Sequence, residues 1–542
     1  MKKICIFCIA VLSIVSAITQ TITPDKMYGQ LFIDVQMNKV FSDSKTFVDC
    51  TPKRKTSAIL KDYETRKQNA DFNLKKFIDD NFNLPKVSQT LNCIHQEKDV
   101  VMHINDVWNT LTRPADKKIE GSSLLPLPYK YVVPGGRFRE MYYWDSYFIM
   151  LGLKESKQYF LLENMVKNVA FLIDTYGHIP NGTRTYYVSR SQPPFFSLMI
   201  DLLASVKGDN VYKTYLPELQ KEYNYFMQGA AKLNKGETYR YVIKTKDGAI
   251  LNRYWDDMDE PRQEHYAEDV ATADKACNEL AMKAKWHSAE AREKALAALR
   301  KNIYRNLRAA SCSGLAFSNR WFNDGEHIET IETINYAAVD LNALLLHLEQ
   351  TIAKANTINK TFSVANTYSL KAKTREVAIN RYFWNPEKNF YTDYNFITAT
   401  QSNAITPMGM FPFLFTDLNN NNNVQHCVAA AKILKEKLLR AGGLQCTEIA
   451  THQQWDAPNG WAPMQWMSIV ALDRNNQNEL AKEIAQRWIS TNKKAYTITG
   501  KLLEKYNVVD TDSTDGAVEY LGQDGFGWTN GVLLALIKKY EP

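Results

Sequence analysis

Aromatic, amide, guanidinium and carboxylate side chains are concentrated in a few short stretches of this 542-residue chain. Each stretch combines Trp, Tyr or Phe with Arg, Asn, Gln, Asp or Glu. Aromatic rings stack on the apolar face of a sugar, and its hydroxyl groups need many fixed hydrogen-bond partners. The clusters therefore favour a carbohydrate site. They span residues 134–148, 179–195, 253–269 and 452–466, and finally 502–507 together with 519–531.

The dipeptide Trp-Asp occurs within these clusters at 144–145, 255–256 and 455–456. A single Trp-Asp pair is most simply a core tryptophan beside a helix cap. Several such pairs, each inside a cluster of sugar-type residues, favour a binding site instead.

Other common chemistries lack their sequence signatures. The chain shows no metal-ligand spacing, no phosphate-binding glycine loop, no dinucleotide fingerprint and no Gly-x-Ser-x-Gly motif. We therefore predict neither a metal nor a cofactor. Carboxylate chemistry remains, and glycoside hydrolysis uses a pair of carboxyl groups. The 66 Lys and Arg against 59 Asp and Glu form no long basic block, so no nucleic-acid partner is predicted.

Helical periodicity dominates the elements that must position these residues. Apolar residues recur at helical spacing in six long segments, and alternating patterns are scarce apart from a short hairpin at 239–245. The sequence therefore predicts an all-α domain of stacked helical hairpins. The run of asparagines at 419–423 predicts a polar surface loop. The helical segments are 148–173, 269–309, 339–356, 424–440, 480–491 and 528–540.

The N-terminal residues have the pattern of a secretory signal peptide. Two lysines precede an apolar run that is too short to span a bilayer, and small residues follow it. We therefore predict a signal peptide at 1–17, an N-terminal extension at 18–125 and the main domain at 126–542. The mature protein would be exported, periplasmic or secreted, without a stable membrane span. The pattern leaves the oligomeric state and any Cys50–Cys93 pairing open, and buried free thiols are the simpler interpretation of the cysteines.

Two of the clusters resemble signatures of the trehalase family, the inverting glycosidases that split α,α-trehalose into two glucoses. They are PGGRFREMYYWDSYF at 134–148 and QQWDAPNGWAP at 453–463. The resemblance runs from about Pro24 to near the C-terminus. It implies an (α/α)6 barrel with a deep pocket at one end, with the N-terminal extension packed on the barrel. It also implies trehalose as the substrate and hydrolysis without a cofactor.

The resemblance also implies roles for individual residues. Glu504, in Leu-Leu-Glu-Lys-Tyr, matches the base that activates water. The expected sugar contacts are Arg137, Trp144, Asp145, Asn181, Arg190, Ser191, Gln192, Arg262, Gln263, Glu264, Gly314 and Glu519.

The chain departs from the family where the general acid is expected. The family pattern is close to E-S-G-W-D-F-S-S-R-W, and residues 312–321 read CSGLAFSNRW. In this register Ala316 occupies the acid position, Leu315 replaces the neighbouring Trp, and Cys312 replaces the Glu. Alanine cannot donate a proton, and a missing general acid costs about 10²–10⁴ in rate.

Three interpretations of this departure are open from the sequence. In the first, another carboxyl supplies the proton, with Asp145, Asp257 and Glu264 as candidates. In the second, the chain is a trehalose-binding pseudoenzyme that acts as a sensor or a regulatory partner. In the third, it is a structural or interaction protein that keeps only the barrel.

Overall fold

The computed structural model describes residues 21–85, 99–512 and 525–541. The signal segment, Cys93 and Glu519 lie outside the described residues. The α-helices are α1 Pro24–Tyr28, α2 Gln30–Met37, α3 Ser44–Val48, α4 Thr56–Arg66, α5 Leu74–Asn81, α6 Val100–Leu111, α7 Tyr143–Glu155, α8 Tyr159–Tyr176, α9 Phe196–Lys207, α10 Asn210–Thr214, α11 Leu216–Phe226, α12 Tyr266–Lys283, α13 Ala289–Cys312, α14 Val339–Ile358, α15 Phe362–Tyr382, α16 Asn421–Lys437, α17 Ala462–Arg474, α18 Asn478–Thr499 and α19 Gly527–Tyr540.

The strands are two or three residues long and pair antiparallel in small hairpins and ribbons. The pairs are Thr51–Pro52 with Phe82–Asn83, Thr112–Arg113 with Tyr131–Val132, Thr238–Tyr239 with Val242–Lys244 and then Ile250–Asn252, Trp384–Asn385 with Phe390–Tyr391, Tyr394–Asn395 between Tyr336–Ala337 and Thr400–Gln401, Leu439–Arg440 with Gly443–Leu444, and Asn459–Gly460 with Tyr506–Asn507. The hairpin expected at 239–245 is present within the three-stranded ribbon of residues 238–252.

Two concentric rings of helices form the main body. In the described residues, the inner ring runs α7, α9, α14, the 3₁₀ helix Pro407–Leu414, α17 and α19, with each element packed against the next. Outside them, α8 packs against α7 and α9, and α18 packs against α17 and α19. The outer helix α6 contacts α19, α11 and α15 contact α14, and α16 contacts the 3₁₀ helix. The fold is therefore an (α/α)6 barrel, as expected. The helix pair α12 and α13 is inserted between α11 and α14.

The ring closes where α19 meets α7. Gly531 in α19 lies directly against the carbonyl oxygen of Phe148 in α7, so a Cβ at this position would overlap the α7 backbone. On the outer side of α7, Gly152 lies against the indole of Trp108 in α6. Glycine is required at such positions because any side chain would push the two helices apart.

Two of the predicted helical segments are each divided in two. The segment 148–173 breaks at residues 156–158, where Lys157 adopts a positive φ of 57° and the chain reverses from inner helix α7 to outer helix α8. The segment 269–309 breaks between α12 and α13, where the Ser288 hydroxyl accepts a hydrogen bond from the Ala291 amide and caps α13. Periodicity continues across both breaks, so it did not reveal them.

The interpretation of the asparagine run was wrong in part. Asn421, Asn422 and Asn423 form the first turn of α16, and the Asn420 side chain caps it by accepting from the Asn422 amide. Asparagine favours N-cap positions because its short side chain replaces a missing backbone acceptor. A polar run therefore began a helix here.

The N-terminal segment, α1 to α5, packs on the barrel through a separate aromatic cluster. Its rings include Tyr28, Phe47 and Phe82, which contact one another edge-on or tilted. Tyr142 and Tyr187 of the main body belong to the same buried cluster. The extension is thus joined to the barrel beside the first turn of α7.

No helix in the described part of the chain is both long and apolar enough to cross a membrane. Five cysteines in the described residues are free and buried: Cys50, Cys277, Cys312, Cys427 and Cys446. This agrees with the simpler interpretation of the cysteines.

Candidate active site

A pocket of about 120 Å³ opens at the end of the barrel where the inner helices α7, α17 and α19 begin. It brings together predicted site residues from four of the five sequence clusters and from the stretch 312–321. Those that line it are Arg137, Trp144, Asp145, Asn181, Arg190, Gln192, Arg262, Glu264, Gly314, Ala316 and Glu504.

The side chain of Arg190 anchors one wall of the pocket. Its guanidinium donates to Asn181 Oδ1 at 3.0 Å, to Glu264 Oε1 at 2.7 Å and to Asp256 Oδ2 at 3.3 Å. Arg308 donates to the same Asp256 oxygen at 3.2 Å. Arg190 is 1% exposed, so it is a buried member of a network and not a surface ion pair.

Arg262 is held in the same way on the neighbouring wall. It donates to both oxygens of Asp269, with Nη2 at 2.6 Å from Oδ1 and Nε at 2.9 Å from Oδ2. Its Nη1 donates to the Ser311 hydroxyl at 2.9 Å. Such a bidentate contact fixes the plane of the guanidinium. The guanidinium carbon lies 4.7 Å from the centre of the Phe317 ring.

Tryptophan rings form the opposite wall. Trp455 stacks on Trp461 with ring centres 3.8 Å apart, and Trp528 meets Trp461 edge-on at 5.6 Å. Trp144 lies 6.0 Å from Trp455. Large apolar faces beside fixed polar groups are the arrangement that binds the two sides of a sugar ring.

Gly314 allows the Trp144 ring to reach its position. Its φ is +80°, and a Cβ there would lie 2.7 Å from the Trp144 ring. Both the backbone conformation and the contact require glycine. The turn after α13 therefore passes directly against the aromatic wall.

Ala316 lies on the pocket lining in a loop that the 452–466 cluster holds from outside. The Ala316 carbonyl accepts from Gln454 Nε2 at 2.8 Å, and the Phe317 carbonyl accepts from the Trp455 amide at 3.1 Å. Asp456 accepts from the Ser318 hydroxyl at 2.8 Å and from the Asn319 amide at 2.9 Å. The loop is thus fixed at Ala316 and at the three residues that follow it.

The carboxyl groups of the candidate donors differ in charge state. Burial raises the pKa of Asp145 to about 8, its own backbone amide opposes this, and the nearby Glu504 raises it further. Burial also opposes ionisation of Glu264, but the charges of Arg190, Arg262 and Arg308 hold its pKa below the usual range. Asp145 is therefore protonated at neutral pH, whereas Glu264 is ionised.

Asp257 lies outside the pocket lining, about half exposed, and is paired with Arg240. Of the three candidate donors, Asp145 thus combines a position on the pocket wall with a protonated carboxyl.

A profile of the trehalase family matches residues 39–541. The chain belongs to the trehalase family. It is 44% identical to a periplasmic trehalase of Pseudomonas aeruginosa, over 96% of this chain and 91% of that protein. It is 42% identical to a periplasmic trehalase of Escherichia coli, over 98% of this chain and 91% of that protein.

Solved structures show the same architecture. The neutral trehalase Nth1 of Saccharomyces cerevisiae superposes with a TM-score of 0.59 at 25% identity, covering 81% of this chain and 79% of that chain. A mannosylglycerate hydrolase of Thermus thermophilus superposes with a TM-score of 0.50 at 14% identity, covering 81% and 100%. The latter likeness concerns the fold alone.

Two residues that the trehalase resemblance nominated as sugar contacts lie outside the pocket lining. Gln263 Nε2 donates to Asp25 Oδ1 at 2.8 Å in the N-terminal extension, and Gln263 Oε1 accepts from Arg308 at 3.2 Å. The Ser191 hydroxyl donates to the Gln192 carbonyl at 3.4 Å. Gln263 therefore links the trehalase barrel to the extension, and Glu519 lies outside the described residues.

Several residues that line the pocket were not predicted from the sequence. Gln454, Trp455, Trp461 and Trp528 stand within the quoted clusters, so their stretches were recognised but their positions were not. Lys45 comes from the extension, and nothing in its surroundings in the sequence indicates a pocket residue. The missed lining residues are Lys45, Phe138, Tyr142, Tyr187, His265, Ser311, Gln454, Trp455, Trp461, Phe526 and Trp528.

In the described ranges, no group of three or more His, Cys, Asp and Glu side chains could hold a metal ion. The polar groups on the pocket lining include carboxyl groups together with amide, guanidinium, hydroxyl and indole hydrogen-bond donors.

Proposed function

We propose that the chain binds α,α-trehalose in this pocket and hydrolyses it to two glucoses with inversion. The observation that carries the proposal is the gathering of sugar-type side chains from five separate clusters around Glu504, in a chain of the trehalase family. Trp144 and the other indoles stack on the sugar rings, and Arg137, Arg190 and Arg262 bind hydroxyl groups.

Glu504 acts as the base. Its carboxylate takes a proton from water, which attacks the anomeric carbon from the face opposite the leaving sugar. In an inverting glycosidase the acid and base carboxyl groups stand about 6.5–9.5 Å apart, which leaves room for this water. The position of the acid in the family corresponds to Ala316, whose methyl group donates nothing.

Asp145 supplies the proton in this chain. Its protonated carboxyl on the pocket wall supports this role, since a group with a pKa of about 8 is a competent donor at neutral pH. A donor away from the usual position protonates the glycosidic oxygen less efficiently, so we expect slow turnover.

One observation favours a second function. Cys312, Leu315 and Ala316 depart together from the family pattern, while the rest of the pocket lining is rich in sugar-binding groups. The second candidate is a trehalose-binding protein without turnover, acting as a sensor or regulatory partner.

The organisation of the chain follows from the same proposal. Residues 1–17 direct export and are removed, 18–125 contain the extension together with the outer helix α6, and 126–542 form the rest of the barrel. Relatives named periplasmic trehalases support an exported protein whose partner is the disaccharide.

Two measurements on the full mature chain test the proposal. Calorimetry with trehalose measures binding, and glucose release measures turnover. We expect both in the natural protein, and we expect Glu504→Gln to keep binding while abolishing release. Glu326→Gln, at an exposed position, is the matched control.

Binding without release would establish the second candidate. Neither binding nor release would overturn both.

A further inference from the structure

Lys505 is a buried ammonium at the edge of the pocket. Its side chain is 3% exposed, with Nζ 3.6 Å from Glu504 Oε2 and 3.2 Å from Gln454 Oε1. The ammonium also lies 5.0 Å from the centre of the Trp461 ring. A buried charge is costly unless neighbouring groups compensate it, and these three groups surround it.

Gln454 connects this ammonium to the loop that carries Ala316. Lysine can only donate, so the amide oxygen of Gln454 must face Lys505. The amide NH₂ then faces the Ala316 carbonyl, to which it donates at 2.8 Å. The orientation of the Gln454 side chain is therefore set by the charge on one side and the carbonyl on the other.

Backbone contacts reinforce the same connection. Asn459–Gly460 pairs with Tyr506–Asn507, which joins the segment after Gln454 to the segment after Glu504. The Gln454 carbonyl accepts from Trp461 Nε1 at 3.0 Å. Three segments of the pocket that are distant in sequence thus meet at one amide side chain.

We propose that Lys505 is a positioning residue that couples the loop of the base, Glu504, to the loop of Ala316 through Gln454. The role of Glu504 as base rests on the proposed function, but the coupling of the two loops does not. Lys505 holds the Ala316 loop at a fixed distance from the base and favours the ionised form of Glu504.

Hydrogen–deuterium exchange of the full mature chain tests the coupling without any sugar. We expect Lys505→Met to accelerate exchange in residues 314–321 about tenfold, as loss of a hydrogen bond to a charged group allows. Exchange in α14 should stay unchanged. Lys538→Met, at an exposed position on α19, is the control and should alter neither segment. Unchanged exchange in 314–321 would overturn the coupling.

The pH dependence of binding of isofagomine, a hydroxylated piperidine cation, tests the effect on Glu504. Among the described residues, the ionisable groups beside Glu504 include Lys505, which is charged, and Asp145, which is protonated and is the same in both proteins. Binding of the cation requires the ionised carboxylate of Glu504. Lys505→Met should therefore raise the pH at which half of the isofagomine binding is lost on acidification by about one pH unit. A purely structural role would weaken binding without moving the midpoint, and that result would refute the charge effect.

Absence of isofagomine binding in the natural protein would count against the proposed function. The exchange experiment would still decide the coupling by itself.

Discussion

At Ala316 a methyl group lies on the pocket wall, at the position where the sequence resemblance leads us to expect the general acid. The backbone at and after this residue is still held in place, because Gln454, Trp455 and Asp456 form hydrogen bonds with its loop. A new carboxyl at this position would therefore be held in place by existing contacts. The change of chemistry is confined to a few side chains.

Asp145 should make the stability of the protein depend on pH. Its pKa of about 8 in the folded state lies above the ordinary value near 4. Between these values the unfolded chain binds fewer protons, so the free energy of unfolding falls as pH rises, by up to about 1.4 kcal/mol per pH unit. Asp145→Asn should flatten this slope in urea titrations between pH 4 and 8.

Two further variants provide a second test of this prediction and its control. Glu222, buried against Tyr143, also has a pKa raised by burial to about 8, so Glu222→Gln should flatten the slope as well. Asp80→Asn, at an exposed position, should leave it unchanged. A slope that survives both Asp145→Asn and Glu222→Gln would contradict the assigned charge states.

The family resemblance named half of the residues that line the pocket, and the other half were not predicted. Two of the recognised stretches were long enough to carry a family pattern, and residues from them line one cavity. Lys45 could not be predicted, because its place depends on how the extension folds back over the barrel. Gln263 stands beside two lining residues, but its side chain points to Asp25, and the direction of a side chain is not a property of the motif.

At the scale of elements, the segment 452–461, which precedes α17, acts as a clamp on the loop that follows α13. Asp456 is fully buried and accepts from Ser318, Asn319, Thr447 and Thr451. Burial raises its pKa in spite of these donors. The clamp joins two connections that are more than a hundred residues apart in the sequence.

Asp456→Asn should destabilise the protein by about 1–3 kcal/mol, because the new NH₂ group would face donors and leave one of them unsatisfied. Urea denaturation measures this. The control is Asp324→Asn, since Asp324 likewise accepts from backbone N–H and hydroxyl donors but is 42% exposed. Equal losses in the free energy of unfolding of the two variants would show that the buried contacts of Asp456 stabilise the protein no more than the exposed contacts of Asp324.

The six segments predicted from helical periodicity overlap the inner helices α7, α14 and α19 and the outer helices α8, α16 and α18. They omit α6, α9, α11, α15 and α17, and they do not give the helix ends. The turn at Lys157 and the cap at Ser288 are single-residue features within continuous apolar patterns. The number of helices in the barrel came from the family resemblance. The order of the ring comes from the packing of the helices in the structure, because periodicity carries no information on which helices are neighbours.

At the scale of the molecule, the N-terminal extension and the barrel share one buried ionic network. Lys45 of the extension donates to Asp49 at 2.6 Å and to Glu140 of the barrel at 2.7 Å, and Arg184 donates to Glu140 at 3.1 Å. Burial opposes ionisation of Glu140, but the charges of Lys45 and Arg184 lower its pKa to about 2. Lys45 also lines the pocket, so the extension contributes to the site.

Lys45→Met should destabilise the whole protein by about 3–5 kcal/mol, because it leaves Asp49 and Glu140 as buried charges with one partner fewer. Thermal or urea unfolding measures the loss. Lys75→Met is matched to it, because Lys75 also pairs with an aspartate four residues on but is 47% exposed. It should cost less than about 0.5 kcal/mol. A Lys45→Met protein as stable as Lys75→Met would contradict the structural role of the network.

The measurement that tests the central claim most directly is glucose release from trehalose by Ala316→Asp beside the natural protein, followed by nuclear magnetic resonance of the product anomers. We expect Ala316→Asp to release glucose about 10²–10⁴ times faster than the natural protein, with one glucose formed as the β anomer, and Glu504→Gln to abolish release in both. If Ala316→Asp stays as slow as the natural protein, or if Glu504→Gln stays active, the pocket does not work as an inverting trehalase site built on Glu504.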